Sequence, residues 1–200
     1  MTEAPRRLIA FTFDDGPSEW TPAILDVMKE HGARATFFVI GDAIAGRRET
    51  LRRAVAEGHE IGNHTWSHPH LTQCSDTDLR EELEQTATAV ESVTGRRPVL
   101  FRPPYFDFDS RVEGVAQRLG FGSAVLATCT PGDWDPLTAD EIVARTQIHH
   151  RAVVCLHDSR PRDSTSAPSR QPTVDAVGAI VPGLIEQGYE LVTVSELLGS

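Results

Sequence analysis

The sequence lacks an excess of positive charge and has few cysteines, and both shortages exclude classes of protein. Its 19 lysines and arginines are outnumbered by 29 aspartates and glutamates, which gives a formal net charge of −10. Such a chain is repelled by a nucleic-acid backbone, so we expect no nucleic-acid partner. The three cysteines, Cys74, Cys129 and Cys155, are odd in number and have no CxxC spacing. They argue against a disulfide framework and favour free thiols in a reducing compartment.

Long apolar runs are also missing. No stretch approaches the ~20 apolar residues of a membrane-spanning helix, so we expect no membrane partner. The N-terminal segment lacks the anatomy of a signal peptide, because its apolar run at residues 8–13 is short and acidic residues follow at once. These features predict a cytoplasmic protein. The first predicted strand–helix turn has no GxGxxG pattern, which argues against a dinucleotide site.

Short β-rich runs alternate with amphipathic helical stretches along the chain, with no repeat and no linker long enough to divide it. We therefore predict a single domain over residues 1–200, of the α/β class, with a parallel sheet covered by helices. Seven predicted strands, alternating with helices, favour a distorted (β/α)7-8 barrel, complete or incomplete, and an open doubly wound sheet is the alternative. The predicted strands are residues 8–13, 35–40, 60–63, 100–102, 122–126, 152–156 and 190–194.

Capping signals place the helices. Thr21 is predicted to cap the first helix, a pattern resembling a capping box at Ser75 and Asp78 opens the third, and another at Thr138 and Glu141 opens the fifth. The predicted helices span about residues 22–31, 47–57, 76–95, 110–119, 139–149 and 173–187.

Polar side chains follow the ends of successive predicted strands, and in a parallel barrel those ends share the face on which active sites are built. Asp14 and Asp15 end the first strand; as neighbouring carboxylates they repel each other unless a cation or base is near, although DDGP is also good turn chemistry. His64 and His68 are four residues apart, so one helical turn would align their imidazoles. Two histidines and one carboxylate form a known catalytic metal set, and a solvated histidine face is the alternative.

Later strand ends supply further candidates. Arg102, stiffened by two following prolines, could pair with a carboxylate, and the Tyr105 backbone N–H could face an oxyanion; a structural turn is the alternative. Asp133 and Trp134 combine an anion with a flat ring that can wall a pocket. His157 ends an apolar run, where a nearby carboxylate would raise its pKa and keep it protonated; a buried core histidine is the alternative.

Taken in order, these motifs resemble the NodB-homology polysaccharide deacetylases, carbohydrate esterase family four. The resemblance rests on TFDDGP at 12–17, HTWSH at 64–68, RPPY at 102–105, DW at 133–134 and LH at 156–157. It implies a distorted barrel and one divalent metal ion, zinc above all, with cobalt or nickel as alternatives. The resemblance implies that Asp15, His64 and His68 bind the metal ion, that Asp14 is the general base and that Arg102 orients this base. It also implies that His157 is the general acid and that Asp133 tunes the pKa of this acid. The backbone N–H of Tyr105 would bind the oxyanion, and Trp134 and Leu156 would form the walls of the acetyl pocket.

The chain departs from the family pattern at two positions. Phe106 stands where a glycine commonly follows RPPY, and Thr130 replaces an acidic residue three positions before Asp133. Both departures put the identity of the substrate in doubt more than the type of reaction.

The resemblance implies a metal-dependent hydrolase that removes an N-acetyl group from an amino-sugar substrate, either a short glycan or a small glycosylated metabolite. An O-acetyl esterase of the acetylxylan type or a cyclic-imide hydrolase is the alternative, and a non-catalytic carbohydrate-binding protein would lack a base or an acid. Residues 159–172 read as a polar surface loop. Its arginines, Arg160, Arg162 and Arg170, are expected to be exposed to solvent. The alternative is that they contact a phosphate or carboxylate group of the substrate.

Overall fold

The computed structural model describes residues 6–160 and 169–199 and shows a parallel sheet covered by helices. The strands are β1 (Arg7–Asp14), β2 (Ala35–Val39), β3 (Glu60–Asn63), β4 (Val153–His157) and β5 (Tyr189–Leu191). The helices are α1 (Thr21–Glu30), α2 (Arg48–Ala56), α3 (Asp76–Thr94), α4 (Ser110–Arg118), α5 (Ala139–Arg145), α6 (Gln171–Glu186) and α7 (Val194–Gly199).

Strand β1 is the centre of the sheet, which has the order β3-β2-β1-β4. β5 pairs with the first residues of β1, and β2 pairs with the last ones. Leu8 and Ala10 form backbone hydrogen bonds with the chain that leads into β4, whereas the carbonyl of Ile9 accepts the N–H of Val192 just after β5, so β5 lies on the side of β1 that β2 occupies. All of these pairings are parallel. The α/β class and the distorted barrel predicted from the sequence are thereby confirmed.

Both faces of the sheet are buried, which explains why its strands read as continuous apolar runs. On β1 the side chains of Ile9, Phe11 and Phe13 join the large core cluster between the sheet and the outer helices. Leu8 and Ala10 alternate with them and pack in the barrel interior. The next side chains on that inner face are polar, at the carboxyl end of the strand, where the candidate site begins.

Two predicted strands are absent from the described part of the chain, at 100–102 and 122–126. Phe101 makes only an isolated parallel bridge with Asn63, because two prolines without N–H donors follow almost at once. Further along, the N–H groups of Gly122 and Val125 donate to the carbonyls of residues 99 and 101. These donors are three residues apart, whereas a strand donates to one neighbour with a period of two. The barrel wall is irregular here for that reason.

Some helix boundaries also differ from prediction. Trp20 precedes α1 as its cap, and the Thr21 hydroxyl instead accepts the N–H of Ser18 and donates to Asp158. The α5 helix ends at Arg145 because Thr146 leaves the helical region with ψ 84°.

The last predicted strand, 190–194, overlaps a helix that the sequence reading missed. Strand β5 ends at Leu191 and Val194 already begins α7. Thr193 and Glu196 exchange backbone and side-chain hydrogen bonds at its start, as in a capping box. No helix in the described part of the chain is long and apolar enough to cross a lipid bilayer.

A core substitution tests this packing. Phe37 on β2 is almost fully buried and stacks on Phe13 with ring centroids 5.2 Å apart. We expect Phe37→Ala to lower the free energy of unfolding by about 3–5 kcal/mol in urea titrations, through lost burial and a residual cavity. Val99→Ala, at a side chain that is 56% exposed, is the control and should change it by less than about 0.5 kcal/mol. Equal effects of the two changes would contradict the core assignment.

Candidate active site

The register of two neighbouring strands brings the first polar groups together. Asp14 ends β1 and is paired in register with His157, which ends β4. Thr12 and Cys155 form the pair two residues earlier. Because in-register residues of parallel strands share a face, all four side chains lie on the inner side of the barrel.

Arg102 fixes the Asp14 carboxylate. Its side chain is fully buried, and Nη1 donates to Oδ1 of Asp14 at 2.8 Å and to the hydroxyl of Thr12 at 2.6 Å. Nε donates to the carbonyl of Val125, and the guanidinium lies 4.2 Å from the ring centroid of Phe38. Asp14 thereby keeps one oxygen on the guanidinium, and its Oδ2 is directed elsewhere, 3.3 Å from the sulfur of Cys155.

Asp15, His64 and His68 form a compact set of potential metal ligands, with one donor atom of each within 4.8 Å of the others. Oδ1 of Asp15 lies 3.5 Å from Nε2 of His64 and 3.2 Å from Nε2 of His68, and it is buried without a hydrogen-bond partner. Burial alone would raise the pKa of Asp15, but the imidazoles of His64 and His68, which donate to its carboxylate when they are protonated, hold that pKa well below its usual value. The carboxylate is therefore ionised.

The backbone selects the tautomer of one of these imidazoles. Nδ1 of His64 lies 2.8 Å from the carbonyl oxygen of Arg102. A carbonyl only accepts, so this nitrogen carries the proton and the lone pair of Nε2 faces Asp15. A lone pair directed at an unpartnered carboxylate oxygen is an arrangement that a cation stabilises, and histidine with carboxylate suits a divalent transition metal.

The two histidines do not lie on one helical turn as their spacing suggested. They belong to a loop in which Thr65 and His68 have φ of 69° and 67°, in the left-handed region. Glu82 of α3 accepts the N–H groups of residues 66 and 67, and Asn63 accepts the N–H of Thr65. A distant helix thus folds the loop back and brings the imidazole rings within 5.0 Å of each other.

Asp133 binds His157 through both of its oxygens. Oδ1 lies 2.8 Å from Nδ1 of the imidazole, and Oδ2 accepts the His157 backbone N–H and the hydroxyl of Thr173. Burial opposes the charged imidazolium, but the Asp133 carboxylate outweighs it and raises the pKa of His157 to about 9. The imidazole is protonated at neutral pH, with Nε2 free of this contact.

Aromatic rings border these groups. Trp134 is 44% exposed and meets the imidazole of His157 edge-on, with centroids 5.5 Å apart. Tyr105 is 51% exposed, and its ring contacts the edge of His68 and stacks on His70. Trp134 and Tyr105 therefore flank the polar cluster.

The two departures from the family pattern also have structural positions. Phe106 keeps φ at 54°, a left-handed value that glycine adopts without strain, and its ring centroid lies 5.8 Å from the guanidinium carbon of Arg102. Thr130 is exposed.

Leu156, predicted to wall the acetyl pocket together with Trp134, lies in the hydrophobic core. The pleat of β4 turns it towards the outer helices, where it is fully buried in the large core cluster with Phe13. Its neighbour Cys155 faces the inner side instead. Adjacent residues of a strand point to opposite faces, so only one member of this pair can border the site.

Sequence reasoning missed the residues that hold Asp133. Arg170, expected to be solvated, is fully buried, and it donates to the carbonyls of Asp133 at 2.5 Å and Ser159 at 2.6 Å. Thr173 follows it in the first turn of α6. An arginine in a polar Ser/Pro-rich segment carries no signal of burial. The Arg160 guanidinium lies 4.7 Å from the Trp20 ring, and Arg162 is outside the described residues.

The family model described as "Polysaccharide deacetylase" matches residues 2–124, more than half of the chain. The chain belongs to the polysaccharide deacetylase family. A chitooligosaccharide deacetylase from Bradyrhizobium sp. (strain ANU 289) is 38% identical over 193 residues, covering 92% of this chain and 88% of the relative.

Solved structures of other deacetylase-family members superpose over nearly the whole chain. The peptidoglycan deacetylase PdaC from Bacillus subtilis has a TM-score of 0.87 and 35% identity, covering 97% of this chain and 91% of that structure. This chain spans only 39% of the full-length PdaC protein. A family 4 acetyl xylan esterase from Clostridium thermocellum, solved with a cobalt ion, has a TM-score of 0.84 and 31% identity, covering 96% and 90%.

Substitution of Asp15 tests whether these three side chains bind a metal ion. We expect Asp15→Ala to weaken zinc binding by at least about tenfold in calorimetric titrations, because even outer partners of metal ligands contribute roughly 10–100-fold to affinity. His70→Ala, at a nearby side chain outside the set, is the matched control and should bind zinc like the unchanged chain. Unaltered affinity in Asp15→Ala would remove this carboxylate from the ligand set.

Proposed function

We propose that this protein is a metal-dependent hydrolase that removes an N-acetyl group from an amino-sugar substrate, either a short glycan or a small glycosylated metabolite. One observation carries the proposal: a carboxylate held by an arginine and an imidazole held by a carboxylate end two paired strands, beside a set of three metal ligands. The names of the similar chitooligosaccharide and peptidoglycan deacetylases support it. We further propose that one domain spans residues 1–200.

Asp15, His64 and His68 would hold the divalent metal ion. Zinc accepts imidazole and carboxylate ligands and keeps an open position in catalytic sites, so we propose zinc, with cobalt or nickel able to replace it. When bound, the cation supplies a Lewis acid that lowers the pKa of water and polarises the acetyl carbonyl. Every remaining task falls to side chains and N–H groups of the protein.

Asp14 is the proposed general base. Arg102 occupies its Oδ1 and keeps the carboxylate oriented, so that Oδ2 can take the proton of the attacking water. Oδ2 lies 4.0 Å from Nε2 of His64, which places the base next to the ligand set. The guanidinium also places a positive charge beside the buried carboxylate of Asp14.

His157 is the proposed general acid. An amine is a poor leaving group unless its nitrogen is protonated, and the imidazolium held by Asp133 has a proton to give. Tyr105 is proposed to contribute its backbone N–H to oxyanion binding, and such donors stabilise the transition state by ~3–4 kcal/mol each. Trp134, in contact with His157, is proposed to wall the acetyl pocket.

An O-acetyl esterase is the second candidate, because an acetyl xylan esterase shares this fold at 31% identity. An alkoxide leaves more easily than a nitrogen that has not been protonated, so ester cleavage depends less on the acid. Acetate release from N-acetylated chitin oligomers and from acetylated xylan, compared for the unchanged protein and His157→Ala, separates the two reactions. A loss confined to the chitin oligomers identifies the amide as the bond that needs His157.

Acetate and free-amine release from N-acetylated sugars and chitin oligomers tests the proposal. We expect turnover with added zinc and a kcat lower by roughly 10²–10⁴-fold in Asp14→Asn, which keeps the shape of the side chain but removes the base. Asp26→Asn, at an exposed aspartate of α1, is the control. Zinc-loaded protein that releases no acetate from any N-acetylated sugar, short chitin oligomer or glycosylated metabolite would overturn the proposed function.

The pH profile tests the acid. His157 must be protonated to act, so kcat/KM should persist below its pKa and fall as the pH rises through it. Asp133→Asn removes the charge that raises this pKa. We expect the alkaline limb of the profile to move down by at least about one pH unit, which corresponds to about 1.4 kcal/mol of lost interaction with the imidazolium. An alkaline limb at the same pH in both proteins would assign the acid to another group.

A further inference from the structure

We propose that Asp14, Cys155 and His157 form a second site for a divalent cation, and that excess zinc bound there stops the reaction. The inhibition rests on the proposed roles of Asp14 and His157, whereas binding of the ion does not. The site is separate from Asp15, His64 and His68, and its three ligands come from strands β1 and β4.

The geometry of the paired strands creates this set. Asp14 and His157 are one in-register pair, and Cys155 lies two residues before His157 on the same inner face. One oxygen, one sulfur and one nitrogen atom of these side chains lie within 4.8 Å of one another. Carboxylate, imidazole and thiolate are the three ligand types that zinc binds in proteins.

Two of the three ligands, Asp14 and His157, are each held by a partner on the side away from the proposed ion. Asp133 holds Nδ1 of His157 at 2.8 Å, which leaves Nε2 for an ion, as in the carboxylate–histidine–zinc arrangements of metalloproteins. Arg102 holds Oδ1 of Asp14, and Oδ2 is the oxygen near Cys155, 3.3 Å from its sulfur. The carboxylate and the imidazole are therefore preorganised by these outer contacts.

Entry of the ion exchanges protons for the metal. Burial raises the pKa of the Cys155 thiol well above its usual value, so the thiol is protonated before the ion enters. Coordination breaks the S–H bond and forms a sulfur–metal bond, and the thiol and imidazolium protons pass to solvent.

The consequence for catalysis follows from the atoms that the ion would occupy. Oδ2 of Asp14 is the proposed base and Nε2 of His157 is the proposed acid. An ion coordinated by both atoms would prevent the base from accepting a proton and the acid from donating one. The Asp14 oxygen lies 4.0 Å from Nε2 of His64, so a second cation would sit beside the first and be repelled by it. Hence the second ion binds more weakly, and inhibition appears only in excess of metal.

Cobalt(II) titration with absorption spectroscopy tests the binding directly, without any substrate. We expect two cobalt ions per chain, and a sulfur-to-cobalt charge-transfer band in the near ultraviolet that grows with the second equivalent. Cys155→Ala should abolish this band and weaken the second ion by at least about tenfold, since even outer-sphere changes alter affinity by roughly 10–100-fold. Cys129→Ala, at another buried thiol beside β4, is the matched control and should keep the band.

Zinc titration with an activity readout tests the inhibition. Each protein is normalised to its own rate with one equivalent of zinc, and we expect excess zinc to inhibit the unchanged chain and Cys129→Ala much more than Cys155→Ala. Cys155→Ser, which conserves volume, replaces the alanine variant if circular dichroism shows that the latter is unfolded. One bound cobalt per chain, or a charge-transfer band that survives in the Cys155 variant, would overturn the site. Failure of the proposed function would leave the cobalt result unaffected.

Discussion

The buried ion pair between Arg102 and Asp14 is the interaction on which this site depends. A guanidinium cannot lose its proton at any ordinary pH, so its burial costs free energy unless its charge and most of its donors are matched. Here Asp14, the Thr12 hydroxyl and the Val125 carbonyl accept hydrogen bonds from Nη1 and Nε, and the Phe38 ring lies against the cation, whereas Nη2 is buried without a hydrogen-bond partner. Removal of one partner of such a pair typically destabilises a protein by about 3–5 kcal/mol. The pair therefore joins the irregular wall after Phe101 to the central strand and orients a carboxylate at the same time.

Two further buried carboxylates near this pair, those of Asp15 and Asp133, differ in the partners that the protein provides for them. Asp15 directly follows Asp14, and its Oδ1 is buried beside the Nε2 atoms of His64 and His68 and lacks a hydrogen bond. On the other side of β1, both carboxylate oxygens of Asp133 accept hydrogen bonds, from His157 and from the hydroxyl of Thr173. The backbone carbonyl of Asp133 accepts from Arg170. One carboxylate is thus satisfied entirely by the protein and another is left for a cation. This difference separates a residue that tunes an imidazole from a residue that can bind a metal ion.

Much of this arrangement is predictable from sequence because it depends on local signals. Alternating strand and helix patterns predict the parallel sheet, and the box at Thr138 and Glu141 places the start of α5 correctly. The Thr193 and Glu196 pattern carried the same signal for α7 and was overlooked. Contacts between distant segments are different, because their information is not local. The loop of His64 and His68 takes its shape from Glu82 on α3, so a four-residue spacing that suits a helix was realised without one.

Leu156 and Cys155 are neighbours on strand β4, but one side chain packs in the core and the other lies beside the candidate site. Because of the pleat, the side chain of Leu156 packs in the core against the outer helices, and the side chain of Cys155 lies on the inner face beside Asp14. A shift of one residue in the pairing of β1 with β4 would exchange these positions and also separate Asp14 from His157. The apolar packing of Leu156 thus fixes the register that brings a carboxylate, a thiol and an imidazole together. The core and the site are therefore specified by the same strand pairing, and neither can change its register alone.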